Sequence, residues 1–464
     1  MPFSALPAIA MEPAHFDILH SAKEYSQRLI DEIRGAKQRI YIVALYLEDD
    51  DAGREVFTEL YQAKQRTPSL DIHICVDWHR AQRGLIGAAA SKTNADMYHE
   101  FAEKYEHSIP VHGIPVNSRE VFGVLHLKGL IVDDTVIYSG ASINNVYLHH
   151  GERYRYDRYQ ILNNRDLADS MVNFIQENMI ASPAVHDLSD TSRPSTKEVK
   201  PLIRQLRSIL MASQYACPPV ATSQDVDNQD IDPVSRVEST NTLLSKPDRI
   251  AVTPLVGLGK RHNQLNDVTV ELLASARDEI FICTPYFNFP KLIAKEIKRA
   301  LSRGVKVTIV VGDKTANDFY IPPTETFRTI GGLPYLYEIN LRAFAKANEA
   351  RIADRSLNIQ LWKHDNNSFH LKGIWVDKRY MLLTGSNLNP RAWKRDLENG
   401  LLVQDHFHLL TKQFEQEAET ILQHTNRVHR FNQLENIDDY PNVVQKLVKR
   451  ITRLQADHVL KHIL

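Results

Sequence analysis

Four sequence elements occur twice in this chain, in the same order and about 240 positions apart. AKQRIYIVALYLED begins at Ala36 and ARDEIFICTPYFNF at Ala276. Each is an apolar strand that follows a helical stretch, Tyr25 to Ile33 in one copy and Val268 to Ala276 in the other. A second helix–strand unit comes next, VFTELYQAKQRTPSLDIHICVD ending at Asp77 and AKEIKRALSRGVKVTIVVGD ending at Asp313. The most similar pair closes the series: HLKGLIVDDTVIYSGASIN from His126 and HLKGIWVDKRYMLLTGSNLN from His370. Chance similarity rarely keeps both order and spacing. The repeat therefore predicts two like α/β halves, each mixing helices with a largely parallel sheet of apolar strands.

The texture differs between and after the copies. Residues 182–198 are rich in Ser, Pro, Thr and Asp, residues 200–212 read as a short amphipathic helix, and 217–235 show little periodicity. The expected layout is a first domain over 1–181, a partly mobile linker with inserted elements over 182–245, a second domain over 246–440, and a basic amphipathic helix over 441–464. On that last helix Val444, Leu447, Val448, Ile451 and Leu454 share a face flanked by Lys446, Lys449, Arg450 and Arg453. Such a helix suits either an anionic membrane surface or a seat on its own domain.

Composition narrows the partners. The formal net charge is -1 and the pI about 7.1, whereas chains that grip nucleic acid through its phosphates are usually basic. Cys75, Cys217 and Cys283 are odd in number and lack metal-ligand spacing, which fits a reducing cytoplasm. The first residues show no basic segment leading into a sustained apolar core, so no signal peptide is expected. No apolar run approaches the ~18 residues of a membrane span, so contact with lipid is expected at its surface.

His126 and Lys128 stand two apart, as do His370 and Lys372. On a strand such residues share a face while Leu127 packs behind. Turns follow at Asp133-Asp134-Thr135 and at Asp377-Lys378-Arg379, then return strands, then small-residue corners at Gly140-Ala141-Ser142 and Gly385-Ser386-Asn387. Phosphodiester exchange has use for this set twice over. Two lysines and two asparagines clamp the non-bridging oxygens, so neither metal nor organic cofactor is expected. One imidazole attacks phosphorus, and the other protonates the leaving oxygen and then deprotonates the acceptor. A pseudo-twofold axis sets the two rings on opposite sides of one phosphorus.

The duplicated H-x-K, Asp and Gly-rich corner resembles the phospholipase D superfamily over most of the chain. The resemblance implies an α/β fold of two phospholipase D-like domains related by pseudo-twofold symmetry, with one shared active site. The first copy has its Asn one place late, at Asn144, which aligns with Asn389, whereas Asn387 falls at the family spacing. Ser142 stays a further candidate for the phosphate contact. The family also uses an acidic residue to orient each His, and Asp157 and Glu398 are the candidates here. Asp133 and Asp377 are read as fixing the turn.

Within the superfamily, DWHRAQRG from Asp77, SGASINNVYLHHGERYRYDRY from Ser139, PLVGLGKR from Pro254 and TGSNLNPRAWKRDLEN from Thr384 resemble the phosphatidylserine synthases of Gram-negative bacteria. That resemblance implies transfer of a phosphatidyl group from CDP-diacylglycerol to L-serine, with release of CMP, through a covalent phosphatidyl-histidine. It also implies a cytoplasmic protein lying peripherally on the inner face of the inner membrane. His126 is assigned as nucleophile and His370 as general acid and base, although the symmetric sequence permits the exchange. A cardiolipin-synthase-like transferase, a phospholipase D, a metal-independent nuclease and a non-catalytic scaffold are the competing readings.

Further candidates for substrate contact are His79, Arg80 and Arg83, just past a strand end where open α/β sheets bind ligands. Arg153, Arg155 and Arg158, interleaved with tyrosines, and Arg391 beside Trp393 complete the set. Gly257-Leu258-Gly259-Lys260-Arg261 lacks the spacing of a nucleotide loop and reads as a turn. His149-His150 reads as surface.

Overall fold

A computed structural model describes residues 3–83, 92–217 and 246–453 of the chain. In the first half the strand Arg39–Val43 pairs in parallel with Asp71–Asp77, which pairs in parallel with Val111–Ile114. On its other side follow, all antiparallel, Gly129–Val132, Thr135–Ser139, Tyr159–Asn163 and Phe16–Leu19. The second half repeats this arrangement. Glu279–Thr284, Lys306–Gly312 and Leu357–Trp362 run parallel; Gly373–Val376, Tyr380–Thr384, Leu397–Gln404 and Ile250–Leu258 continue antiparallel. The expected largely parallel sheets are thus mixed. Helical crossovers make the parallel part, and the hairpin after each H-x-K begins the antiparallel part.

Local chemistry explains the elements. The helix Ala22–Gly35 is capped by Ser21, whose hydroxyl accepts from the Glu24 N–H, and buries Tyr25, Leu29 and Ile33 at four-residue spacing. Asp133 and Asp377 take up left-handed backbone, with φ of 50° and 54°. The Asp133 carboxylate accepts from the backbone N–H groups of Lys37, Gln38 and Arg39 at 2.7–3.1 Å. The Asp377 carboxylate accepts likewise from Arg277, Asp278 and Glu279 at 2.8–2.9 Å. Each aspartate therefore fastens its hairpin to the start of the neighbouring parallel strand, away from the imidazoles.

The inner faces of the two sheets share one core. Leu127, Ile131 and Tyr138 from the first half pack in it with Leu371, Trp375 and Leu397 from the second. The helices Arg165–Ile175, Thr196–Ala212 and Thr411–Leu422 contribute Phe174, Leu206, Leu210, Phe414 and Ile421. Separate cores lie under the outer helices of each half. The sheets do not divide at a single chain position, because Ile9–Met11 pairs with Ile250–Leu258 at the edge of the second sheet. The helix read over 200–212 begins earlier, at Thr196, where Ser195 and Glu198 form a capping box. Residues 218–245, which hold nearly all of the aperiodic stretch, lie outside the described residues.

The C-terminal helix is described over Asn442–Arg453. Its apolar face is not free for lipid: Val444 and Val448 are buried against Tyr335 and Tyr440. Its basic edge, with Lys446, Lys449 and Arg450, is exposed, as is Val443 near its start. Residues 454–464, with Leu454, fall outside the described residues. Among the described residues no helix is long and apolar enough to cross a membrane.

Candidate active site

Each H-x-K lies in an extended segment just ahead of its strand rather than on it. The alternation still holds, since His126 and Lys128 face a cavity while Leu127 faces the core. What fixes these segments is the other half of the chain. His126 N–H donates to the Leu397 carbonyl at 2.9 Å, and Leu397 N–H to the Val124 carbonyl at 3.0 Å. In the same way His370 N–H donates to the Tyr156 carbonyl at 2.8 Å, within a parallel pairing of Ser368–Phe369 on Arg155–Tyr156. Each motif is thus zipped onto the segment that bears the other half's carboxylate.

The carboxylates consequently cross over. His126 Nδ1 lies 2.8 Å from Glu398 Oε2, and His370 Nδ1 lies 3.1 Å from Asp157 Oδ2. In each ring this engages Nδ1 and leaves Nε2 for chemistry. Lys372 Nζ also reaches Asp157 Oδ2 at 3.0 Å and contacts His370 Nδ1. Tyr147 Oη stands 3.0 Å from the same ring atom. Lys128 Nζ touches Ser142 Oγ at 3.4 Å. His126, Lys128 and His370 line a single cavity of about 520 Å³, with the fully buried Lys372 beneath it.

The glycine corners allow this approach. A Cβ on Gly140 would stand 2.7 and 2.8 Å from the Asp157 carboxylate oxygens and 3.0 Å from Lys372 Nζ. A Cβ on Gly385 would stand 2.7 Å from Lys128 Cγ. The asparagines after the corners serve the backbone first. Asn144 Oδ1 accepts from the Tyr147 N–H at 3.0 Å, and Asn389 Oδ1 from the Ala392 N–H at 2.9 Å. Asn144 Nδ2 donates to Glu48 at 2.9 Å. Asn387 lines the cavity with a buried Oδ1 that has no hydrogen-bond partner among the described residues.

Burial dominates the titration of these groups. It holds both imidazoles neutral: His126 well below the ordinary range, helped by Lys128, and His370 near 3, helped by Lys372. Burial and Lys372 bring Lys128 down to about 7. Burial also lowers Lys372, against the pull of Asp157. The two carboxylates diverge. Burial pushes Glu398 up to about 8 despite Lys128 and Lys372. The same burial on Asp157 is outweighed by Lys372 and His370, which hold it below the usual range.

The outlying candidates separate. Arg80, Arg83, Arg155 and Arg391 line the cavity. Arg83 pairs with Glu120 at 3.0 Å and Arg391 with Asp396 at 3.2 Å. Arg158 does not line it. Its guanidinium is buried in the shared core, bidentate on Glu417 at 2.9 Å and stacked 4.0 Å over Trp375. Three residues beyond Arg155, it falls on the opposite face of the same extended segment. Arg153 is spent on the Asn366 carbonyl, and the His79 ring on the Asn117 carbonyl, both outside the cavity lining. Trp393 packs in the outer core of the second half.

Sequence reasoning did not find Glu48, Tyr147, Tyr286 and Asp318, all of which line the cavity. A signal existed for Asp318. The strand-end rule that flags Arg80 after Asp77 also points, in the second copy, to the residues after Asp313.

A family model described as "Cardiolipin synthase, PLD-like domain" matches residues 29–178 and again 269–422. The chain is 47% identical to a CDP-diacylglycerol--serine O-phosphatidyltransferase of Haemophilus influenzae, over 99% of this chain and 97% of that one. It is 45% identical to the CDP-diacylglycerol--serine O-phosphatidyltransferase of Escherichia coli K12, over 99% and 96%. A crystal structure of phosphatidylserine synthase from Haemophilus influenzae Rd KW20 superposes with a TM-score of 0.91 at 45% identity, covering 100% of this chain and 98% of the other.

Proposed function

The chain belongs to the phospholipase D-like family, and from that premise we propose that it transfers the phosphatidyl group of CDP-diacylglycerol to L-serine, releasing CMP. One observation carries the reading. Both H-x-K pairs, each with a carboxylate supplied by the other half, meet at one cavity in a chain similar from end to end to enzymes named for that reaction.

The chemistry follows from the geometry. His126 Nε2 attacks the diacylglycerol-bearing phosphorus while His370 gives a proton to the departing CMP oxygen. In the second step the serine hydroxyl returns a proton to His370 and attacks the same phosphorus, expelling His126. The proton count closes over the cycle. His370 must hold that proton when substrate is bound. The diphosphate brings negative charge into a low-dielectric space and opposes the field of Lys372. Lys128, with Arg83 and Arg391 in the cavity wall, stabilises the charge that develops on the phosphoryl oxygens.

The lipid substrate requires a membrane face. Val121 and Phe122 are 39% and 46% exposed and directly follow Glu120 of the cavity wall. Arg395 holds the Val121 carbonyl, and both Arg395 and Lys260 lie close enough to Lys394 to act on its charge. Apolar side chains set among cations at the cavity rim suit the inner, anionic leaflet. This rim replaces the C-terminal helix as the principal lipid contact.

Incubation of the protein with labelled CDP-diacylglycerol and serine, glycerol or phosphatidylglycerol tests the activity. Phosphatidylserine and CMP are expected. A preference for either of the other acceptors, or cutting of single-stranded DNA in their place, would overturn it.

A further inference from the structure

A cavity that receives only a diphosphate needs cations, yet four carboxylates line this one: Glu48, Glu120, Asp318 and Asp396. Three are engaged at hydrogen-bond distance by nitrogen donors. Glu48 accepts from Asn144 at 2.9 Å, Glu120 lies 3.0 Å from Arg83, and Asp396 lies 3.2 Å from Arg391. Asp318 differs. Its Oδ1 accepts from the Tyr286 hydroxyl at 2.6 Å, while Oδ2 and the Arg155 guanidinium stand 3.6 Å apart, beyond a hydrogen bond. Both side chains are mostly buried, at 13% and 18% exposure. The two charges form a loose ion pair in the cavity lining, where a ligand bearing both signs can exchange partners with it.

The position suits the acceptor. Tyr286, which holds Asp318, sets its ring edge against His370 with centroids 6.1 Å apart. Tyr147 lies between His370 and Arg155, hydrogen-bonded to the ring of one and beneath the guanidinium of the other at 4.9 Å. Arg80 stacks 4.4 Å over Tyr46 and has no ion pair among the described residues. The charges that bear on the Tyr46 hydroxyl are Arg155, Glu48, Arg80 and Asp318. An amino-acid alcohol carries its ammonium and carboxylate on the carbon next to the one bearing the hydroxyl. An acceptor oxygen at His370 therefore brings both charges into this cluster.

We propose that Asp318 receives the ammonium, and Arg155 with Arg80 the carboxylate, of the zwitterionic acceptor whose hydroxyl meets His370. The subsite rests on the transfer reading above and deepens it. Tyr286 positions Asp318, and Tyr147 positions Arg155 against the imidazole.

The test compares L-serine with 3-hydroxypropionate, which lacks the ammonium, and ethanolamine, which lacks the carboxylate, each as substrate or as competitor of serine. The unaltered protein should favour serine over both by at least tenfold. Asp318→Asn should lower kcat/KM for serine by about 10- to 150-fold, the range for a charged hydrogen bond, chiefly through KM. It should shrink the gap between serine and 3-hydroxypropionate by the same factor. Arg80→Gln should shrink the gap to ethanolamine instead. Equal loss for serine and 3-hydroxypropionate in Asp318→Asn would make Asp318 merely the counterion of Arg155 and overturn the subsite. So would a raised KM for CDP-diacylglycerol with that for serine unchanged. Should Asp318→Asn fail to fold, the analogues decide on the unaltered protein, where use of 3-hydroxypropionate within threefold of serine overturns the proposal. Failure to form phosphatidylserine at all defeats the transfer reading; formation with an unchanged acceptor ranking defeats the subsite alone.

Discussion

Glu398→Gln isolates what a crossed carboxylate contributes. Glutamine keeps the shape and an acceptor oxygen for His126 Nδ1, now 2.8 Å from Glu398 Oε2, and removes the charge. At an effective dielectric near 20, unit charges at that separation interact by up to about 6 kcal/mol, which is an upper bound. Measured hydrogen bonds set the working figure, about 1.5–3 kcal/mol for charged and about 0.5–1.5 for neutral partners. The difference of about 1–2 kcal/mol predicts a 5- to 30-fold slower release of CMP. The pH profile adds a second reading. With Glu398 pushed up to about 8 by burial, the His126–Glu398 pair keeps a proton that the nucleophile must lose. CMP release should rise with pH through that range. In Glu398→Gln the limb should move to the acid side, because burial and Lys128 hold His126 itself low. Stability follows the same linkage. A carboxyl raised in the fold penalises the native state increasingly from the ordinary carboxylate range up to about pH 8. The variant should therefore match the parent in acid and exceed it at pH 8. Rapid-quench measurement of CMP, with melting across pH, reads all three. A rate within twofold of the parent and an unmoved limb would refute the reasoning, as would a loss beyond about a thousandfold, which would make Glu398 a reacting group.

Three other predictions stand on separate contacts. His370→Ala should lower turnover by at least ~100-fold, the usual cost of one lost proton transfer, with the fold intact by circular dichroism; more than about 10% residual activity would remove it from that role. Arg158→Met leaves Glu417 buried with only Gln160 and Trp375 as donors among the described residues, and should cost about 3–5 kcal/mol in chemical denaturation while KM for CDP-diacylglycerol barely moves. A raised KM at unchanged stability would return Arg158 to the substrate. Phe122→Asp should weaken sedimentation with phosphatidylglycerol vesicles by tenfold or more, and unchanged binding would point to another face.

The repeat made the two halves and their helix–strand units legible, and the spacing of His126 and Lys128 against His370 and Lys372 marked the groups that the fold brings together at one cavity. Asp157 and Glu398 were recognisable as carboxylates beyond each motif. Their exchange between halves was not, because it arises from backbone pairings more than 200 residues apart in the chain, His126 with Leu397 and His370 with Tyr156. Arg158 was grouped with Arg155 although the two are an odd number of residues apart, which on an extended chain reverses the face. The C-terminal helix showed its amphipathic stripe plainly, but a stripe does not say what covers it; Tyr335 and Tyr440 do. Asp318 sits in no motif, and only the fold brings it beside Arg155.

Double displacement requires one phosphorus between the two imidazoles, and trapping the covalent intermediate tests this most directly. Protein quenched with labelled CDP-diacylglycerol in the absence of serine, digested and mapped by mass spectrometry under alkaline conditions, should carry a phosphatidyl group on His126, and His126→Ala should carry none. An adduct on a residue outside the cavity, or turnover to phosphatidylserine with no adduct at either histidine, would contradict the double displacement.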